Sequence, residues 1–501
     1  MTEQEFLAHY NLTRNPFADE DAQTDAVFKE YCIEQTYHPA WSKVFGDPSE
    51  PATAIVLGSK GAGKTAMRLQ IVKQLQSNNL LHPDKRVFYI QYDDFNAFLG
   101  PLQNSLPKRI QSNPTRVLQS IRIWDHMDAI LCQAVTTLVD RILGISETRP
   151  GQEGLEVARL QVANLDQGQK RDLLLLAAAY DQSNIGSFQS RWSSLRKLLR
   201  FGNLSTWTFC GIALLGTLIA LLIGYGLITS NIAGRQSALL LTMGLVGISW
   251  LPYLGRYVRH TWLAMKLKKN VRVGRRDVPS LTKVLMDIPS KDLAAQPLPM
   301  SQRSDDRYAM LEKLQLLLRS LGFPGLIVIV DRVDEPDLVN GLPERMQALV
   351  WPMLDNKLLK HPGLGIKLLL PSNLLYFLDR ESREFNERAR LDKQNLIRNF
   401  DWTGEALYDL LAARLKACSA SPDKSVLPGA LISNSISEQR LLSSMQSLRT
   451  PRSLFRFWYR LLAEHCKQHR SATPVYSISS ELFESTLAVY QSEANMATAQ
   501  N

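Results

Sequence analysis

The chain has 501 residues and a formal charge of +10, enough for two or three domains and, taken whole, basic enough to suggest nucleic acid as a partner. The excess is local, because Arg191 to Arg276 holds 13 Lys/Arg and no Asp/Glu, while the remainder carries 45 basic against 48 acidic residues, a balance of −3. That distribution counts against nucleic acid, and five cysteines without paired spacing (Cys32, Cys132, Cys210, Cys418, Cys466) fit reduced cytosolic thiols and not a disulfide framework.

Residues 1–50 read as an N-terminal leader that contains Asn15-Pro16-Phe17, with no apolar segment before Glu20 to suggest a cleavable signal. Thr53–Leu57 is an apolar, β-branched strand, and it enters GSKGAGKT, Gly58 to Thr65. This fits the phosphate-loop pattern G-x-x-x-x-G-K-[ST], with a helix over Ala66–Leu75 behind it. In such a loop Gly58, Ser59, Lys60, Gly61, Ala62 and Gly63 turn successive backbone N–H groups toward phosphates. Lys64 reaches the β- and γ-phosphates, and the Thr65 hydroxyl ligates Mg²⁺. Arg86–Gln91 is the next strand, which closes the first part of a nucleotide-binding domain at residues 51–101.

Residues 102–203 form a helical insertion by apolar periodicity, broken near Arg149–Gly154. There follow 34 residues without a charge (Phe201–Gly234), then Arg235, then 20 more (Gln236–Gly255). A bilayer core of about 30 Å needs about 20 apolar residues to cross it, so two spans are expected near Ser205–Ile228 and Ser237–Tyr257, inside a hairpin over residues 204–257. Trp207–Ile228 contains 11 Leu/Ile/Phe residues, about −3 to −7 kcal/mol toward insertion. Four basic residues precede the first run and eight follow the second, which sets both ends of the hairpin in the cytoplasm. Gly216, Ala220 and Gly224 recur every four residues and permit close helix approach.

A basic segment and linker occupy 258–304. The second part of the nucleotide-binding domain, residues 305–403, runs through a helix at Arg307–Leu321 into the strand LIVIV and Asp331. A carboxylate at the carboxyl edge of a buried strand is placed to hold a metal through water. Asp334 and Glu335 follow, and Glu335 is the favoured water-activating residue because its longer side chain reaches past the metal. The strand Gly365–Leu370 ends in Pro371-Ser372-Asn373, where Asn373 is the candidate polar side chain between the two strand ends. Asn395–Phe400 is a fifth strand. Arg388 and Arg390 lie on a charged segment and are candidates for a finger reaching a neighbouring protomer, against a solvated helix face. A helical lid over 404–489 begins its last part with LRTPRSLFRFW, where Arg452 is the candidate contact to nucleotide, and 490–501 is a polar tail. His465, Cys466 and His469 sit in an amphipathic helical pattern and read as packing, not as a metal site. Alternating strands and helices predict an α/β fold of the P-loop NTPase type, with a mainly parallel sheet, the helical insertion, the hairpin and the lid.

The phosphate loop, the acidic strand end, the polar residue after the fourth strand and the T-P-R-S-L helix start resemble the AAA+/STAND branch of P-loop ATPases. A membrane hairpin between the two half-sites is similar to the KAP family in particular. The resemblance covers about residues 50–100, 200–260 and 305–465. It implies a cytoplasmic-facing ATPase anchored in the inner membrane by two spans, with ATP and Mg²⁺ as cofactors. A homo-oligomer and a further protein are its implied partners, and bacterial members resemble defence or signalling components. Asp331-Arg332-Val333-Asp334-Glu335 departs from the KAP pattern, since Arg332 stands where a second acid is usual. The leader also resembles that of secretion-associated AAA+ ATPases. Two other functions fit the same residues: a membrane scaffold that nucleotide stabilises with little turnover, and a nucleic-acid-dependent ATPase.

Overall fold

A computed structural model describes all residues except 146–153, 158, 184, 203, 230–234, 295, 422–424 and 500–501. Most of the interruption expected at Arg149–Gly154 and of the turn expected between the two apolar runs therefore lies outside the described residues. The chain divides into two compact units, one made of Met1–Asp93 with Gly325–Asn501 and the other of Asp94–Pro324. The helical insertion, the apolar hairpin and the basic segment thus belong to one unit, and the two halves of the α/β domain close on each other in the other.

The α/β unit is built on five parallel strands: β1 (Ala54–Gly58), β2 (Val87–Tyr92), β3 (Gly325–Val330), β4 (Leu364–Pro371) and β5 (Asn395–Ile397). Their order is β2-β3-β4-β1-β5. Every residue of β1 and β3 is buried, which is why both read as unbroken apolar runs and not as alternating ones. Pairing joins Val87 to Gly325, Leu326 to Leu364, and Ala54 to both Lys367 and Asn395. The register thereby brings the carboxyl ends of β1, β3 and β4 to one edge. Strand β5 stops at Ile397, short of the expected Phe400, whose ring turns inward to stack on His38 with centroids 3.7 Å apart.

Lys367 interrupts the apolar pattern of β4, yet only 1 % of it is exposed. Its ammonium donates to Phe45 O (3.0 Å) and Ala52 O (2.8 Å), tying the sheet to the segment before β1. Burial lowers its pKa from 10.5 to about 8. Below about 8 the folded state therefore carries the full cost of a desolvated ammonium. As pH rises from about 8 toward 10.5 the folded state releases the proton first, and stability rises. Lys367→Met is expected to flatten that dependence by up to ~1.4 kcal/mol per pH unit, measured as the wild-type-minus-variant difference in unfolding free energy. Equal slopes for both proteins would contradict this burial effect.

The leader does not stand apart from the helical region at the other end of the chain. Phe6, Leu12, Phe17, Phe28 and Cys32 share one core with Leu407, Leu411, Leu415, Trp458, Leu461 and Phe483. Each fully buried aromatic or aliphatic side chain contributes about 1.5–3 kcal/mol, so the leader is a substantial part of that core. Asn15 accepts the Phe17 N–H through Oδ1 (2.8 Å), a local turn that aims Phe17 inward. A buried ion pair, Arg414 with Asp25, closes the contact, and Arg414 also donates to Pro16 O (2.6 Å). The helices Gly404–Cys418, Glu438–Leu448 and Pro451–Gln468 start at Thr403, Ser437 and Thr450, each of which caps its helix through its hydroxyl.

The second unit is helical. It contains the helices Leu204–Thr229 and Arg235–Asn270, both long and apolar enough to cross a membrane, and only 17 % and 6 % of their most apolar windows is buried. Such exposure separates them from core helices of a soluble domain, whose apolar residues face inward. They pack against each other along the small-residue stripe: Ala213 and Ala220 are buried, and a Cβ on Gly216 would lie 2.6 Å from the Ser249 Cβ. Trp250 Nε1 donates to Thr217 Oγ1 (3.0 Å) across the same seam. At 1.5 Å per residue the 36-residue second helix is about 54 Å long, longer than a bilayer core is thick, and its second half carries the basic run from Arg256 to Lys269. The expected end at Tyr257 is passed without a break because Arg256, His260, Ala264 and Leu267 supply a buried face there.

Three of the hairpin's flanking cations pair with carboxylates, Arg196 with Asp287 (2.8 Å) among them. Arg191 pairs with Asp181 (2.9 Å) and Asp140 (2.7 Å), and Arg272 pairs with fully buried Asp125. A further buried pair, Arg307 with Asp128 (3.0 Å), also reaches Asn270 O at the end of the long helix (2.9 Å). The bare charge count along the sequence therefore overstates the charge available to a membrane surface.

Candidate nucleotide site

The loop after β1 turns through Gly61 (φ +86) and Gly63 (φ +96), left-handed conformations that L side chains rarely adopt. Gly61 has a second reason to lack a side chain, since any Cβ there would lie 2.6 Å from the Arg452 Cβ. The helix Lys64–Leu81 begins at once with Gly63 as its N-cap, so its positive end faces the loop. Lys64 folds over this turn and donates to Gly58 O (2.7 Å) and Ser59 O (2.9 Å), with no carboxylate partner among the described residues. Burial holds its ammonium below the usual lysine range, and Asp331 and Asp334 act against that shift.

Asp331 follows the last residue of β3 and is buried. It accepts from the Thr65 hydroxyl at 3.4 Å, and Arg68 Nε lies 3.2 Å from the same Oδ2. Burial raises its pKa, opposed chiefly by Arg68. Arg332 takes a left-handed backbone (φ +60) immediately after it, so the chain turns back and Asp334 and Glu335 line the same cavity as the loop. Glu335 is the more exposed acid; its carboxylate lies 3.6 Å from Arg332 Nε, and partial burial together with Asp334 and Asp331 raises its pKa.

One cavity thus gathers Lys60, Gly61, Gly63, Lys64 and Thr65 with Asp331, Asp334, Glu335 and Arg452. Arg452 opens the helix Pro451–Gln468, its backbone N–H is 3.4 Å from Gly61 O, and its guanidinium lies 3.7 Å from Glu20. Asn373 is not brought in. Strand β4 does run between β1 and β3, and Ser372 N donates to Gly58 O (3.0 Å), but Asn373 is exposed at the start of a short helix and does not line the cavity. Arg388 and Arg390 are also exposed and outside it; Arg388 rests on the Phe385 ring. His465 is buried and its Nε2 is 2.7 Å from Val475 O, and among the described residues no cluster of His, Cys, Asp or Glu is arranged to hold a metal ion.

Several residues in or behind the cavity wall escaped the sequence reading. Arg68 bridges Asp331 and Asp93, and its only signal was a position four residues, about one helical turn, after Lys64. Trp402 clamps the loop by donating from Nε1 to Ala62 O (2.8 Å), and His38 stacks behind it on Phe400. Burial lowers the His38 pKa to about 4, which keeps that ring neutral at physiological pH. Glu20, from the leader, binds Arg456 (2.7 Å) beside Arg452. No local pattern announces such partners, because they come from segments hundreds of residues apart.

The donor set fits a phosphate chain with a divalent cation: a glycine-permitted turn at a helix N-terminus, a cation bound only by carbonyls, and a hydroxyl and a carboxylate 3.4 Å apart beside it. Comparisons with protein families, with curated proteins and with solved structures gave no match to this chain.

Proposed function

We propose that this chain is a membrane-anchored P-loop ATPase of KAP-like type, which uses ATP binding and hydrolysis to switch the conformation or assembly of a protein complex. The observation that carries the reading is the convergence of the Gly58–Thr65 loop and the Asp331–Glu335 segment, more than 260 residues apart, on one cavity. Bound nucleotide supplies the phosphoanhydride to be cleaved, and Mg²⁺ offsets the charge on its oxygens. Lys64 and the loop N–H groups hold the phosphates, Thr65 and Asp331 hold the metal, and Arg452 approaches from the lid. Arg68 favours the ionised form of Asp331 against the effect of burial and orients its carboxylate. Glu335 is the proton acceptor for the attacking water, since its raised pKa makes it a better base than an ordinary carboxylate.

Two exposed, mutually packed apolar helices support anchoring, with both half-sites and both termini on the cytoplasmic side of an inner membrane. A self-assembled oligomer and a separate protein partner complete the reading. Steady-state phosphate release by the full-length protein in detergent tests it. Glu335→Gln should retain ATP binding and lose turnover by roughly 10²–10⁴-fold, whereas Asp334→Asn should chiefly alter ATP affinity through Lys64. If Asp334→Asn stops turnover and Glu335→Gln does not, the two roles are exchanged. Wild-type protein that binds ATP without turnover would instead be a nucleotide-stabilised scaffold.

A further inference from the structure

A cleft in the hairpin-bearing unit holds no part of the nucleotide site. It encloses about 1140 Å³, and its lining includes Arg196, Lys197, Arg200 and Lys283 against one carboxylate, Asp287, a net charge of +3. The cations come from two separate helices. Arg196 and Lys197 lie in the last turn of the helix Phe188–Leu198, and Arg200 follows it with a left-handed backbone at φ +51. Lys283 belongs to the helix Val278–Met286. Asp287 neutralises Arg196 at 2.8 Å, and Lys283 donates to the neutral Gln189 side chain at 3.3 Å. Lys197 and Arg200 have no carboxylate partner among the described residues. Buried Trp192 and Val284 supply an apolar part of the lining, to which Ser187 and Ser190 also contribute.

Position separates this cleft from an ordinary basic flank. Its lining runs to Phe201 and Gly202, two residues before the apolar helix Leu204–Thr229 begins. Cations that merely complement a helix C-terminus, or that merely mark the cytoplasmic side, need neither a cavity nor a lysine from a second helix across it. We propose that this cleft binds the phosphate of an anionic phospholipid headgroup at the membrane surface where the first span enters. Arg200 supplies planar donors that pair with phosphate oxygens two at a time, Lys197 and Lys283 supply point charges, and the apolar part of the lining receives the glycerol end. The assignment of a lipid as the source of that phosphate rests on the membrane reading above; the anion chemistry of the cleft does not.

The test uses full-length protein in neutral detergent, titrated with short-chain phosphatidylglycerol and, separately, with glycerol phosphate. The variant replaces Lys197, Arg200 and Lys283 together by Gln, and a control replaces exposed Lys108, Arg109 and Arg116 by Gln. At about 1 kcal/mol per basic residue near an anionic surface, the cleft variant should bind phosphatidylglycerol roughly a hundredfold more weakly at low salt, and the control should bind as wild type does. All the replaced side chains are exposed, so unchanged thermal melting is expected and shows that a loss is not unfolding. Equal phosphatidylglycerol binding by wild type and cleft variant overturns the proposal, as does an equal loss in the control. If glycerol phosphate binds wild type as tightly as the lipid does, the cleft takes a soluble phosphate ester and the lipid assignment fails. Flotation with phosphatidylcholine vesicles keeps the two readings apart: protein that stays out of the vesicles rejects the membrane reading alone, and protein that floats but whose phosphatidylglycerol binding shows no cleft dependence rejects the site alone.

Discussion

Lys64→Ala is expected to weaken ATP binding by roughly a hundredfold, about 3 kcal/mol, because it removes the charge-assisted contacts to the β- and γ-phosphates. The fold should be unaffected. Lys64 makes its bonds to Gly58 O and Ser59 O inside the cavity and holds no other element in place. Asp331→Asn separates binding from chemistry. It removes a charge beside Thr65, so Mg²⁺-dependent hydrolysis should fall by on the order of a hundredfold while ATP affinity changes less. The substitution also takes one anion from buried Arg68, which keeps Asp93 and the Gln91 amide oxygen (3.0 Å) as partners. A melting curve close to wild type is therefore expected and makes the kinetic loss interpretable. Isothermal titration with ATP, with and without Mg²⁺, together with phosphate release measures all of these effects. Unchanged Mg·ATP hydrolysis in both variants would remove the nucleotide assignment.

The sequence exposes strongly what is local. The strand before the glycine-rich loop and the acidic strand end are readable from short apolar runs, and the helix behind the loop from its place after the glycine-rich turn; the structure extends that helix to Leu81. Glycines at 61 and 63 are legible because the turn needs positive φ there. What stays hidden is set by partners distant in sequence. Nothing near Phe6 or Phe17 indicates that both lie in a core with Trp458 and Phe483. A polar residue after β4 is readable, but whether it reaches the cavity depends on how the following helix starts, and Asn373 ends up exposed. Charge counting has the same weakness: Arg191 and Arg272 look like membrane-facing cations until Asp181, Asp140 and Asp125 are found beside them.

Replacing Leu218 and Leu222 together by Arg should expel the first apolar helix from a bilayer. Both leucines are more than half exposed, 57 % and 64 %, and neither belongs to the small-residue seam of Ala213, Gly216, Ala220 and Gly224. The two helices contain no carboxylate to pair with a guanidinium. Each arginine costs about 2.5–3.5 kcal/mol at a helix centre, or about 5–7 kcal/mol for the pair, comparable with the whole insertion energy of roughly −3 to −7 kcal/mol supplied by the Leu/Ile/Phe residues of this span. Membrane association that resists carbonate extraction should then fall sharply. The α/β sheet belongs to the other compact unit, so nucleotide binding should persist in whatever protein stays folded. Sidedness has its own readout in a cysteine-free background. A cysteine at Gln236, one residue into the second helix, should react with an impermeant label from outside, and one at Ser59 only after permeabilisation. If wild-type protein is recovered wholly in the soluble fraction without detergent, or if the Ser59 position labels from outside, the anchored, cytoplasm-facing arrangement fails.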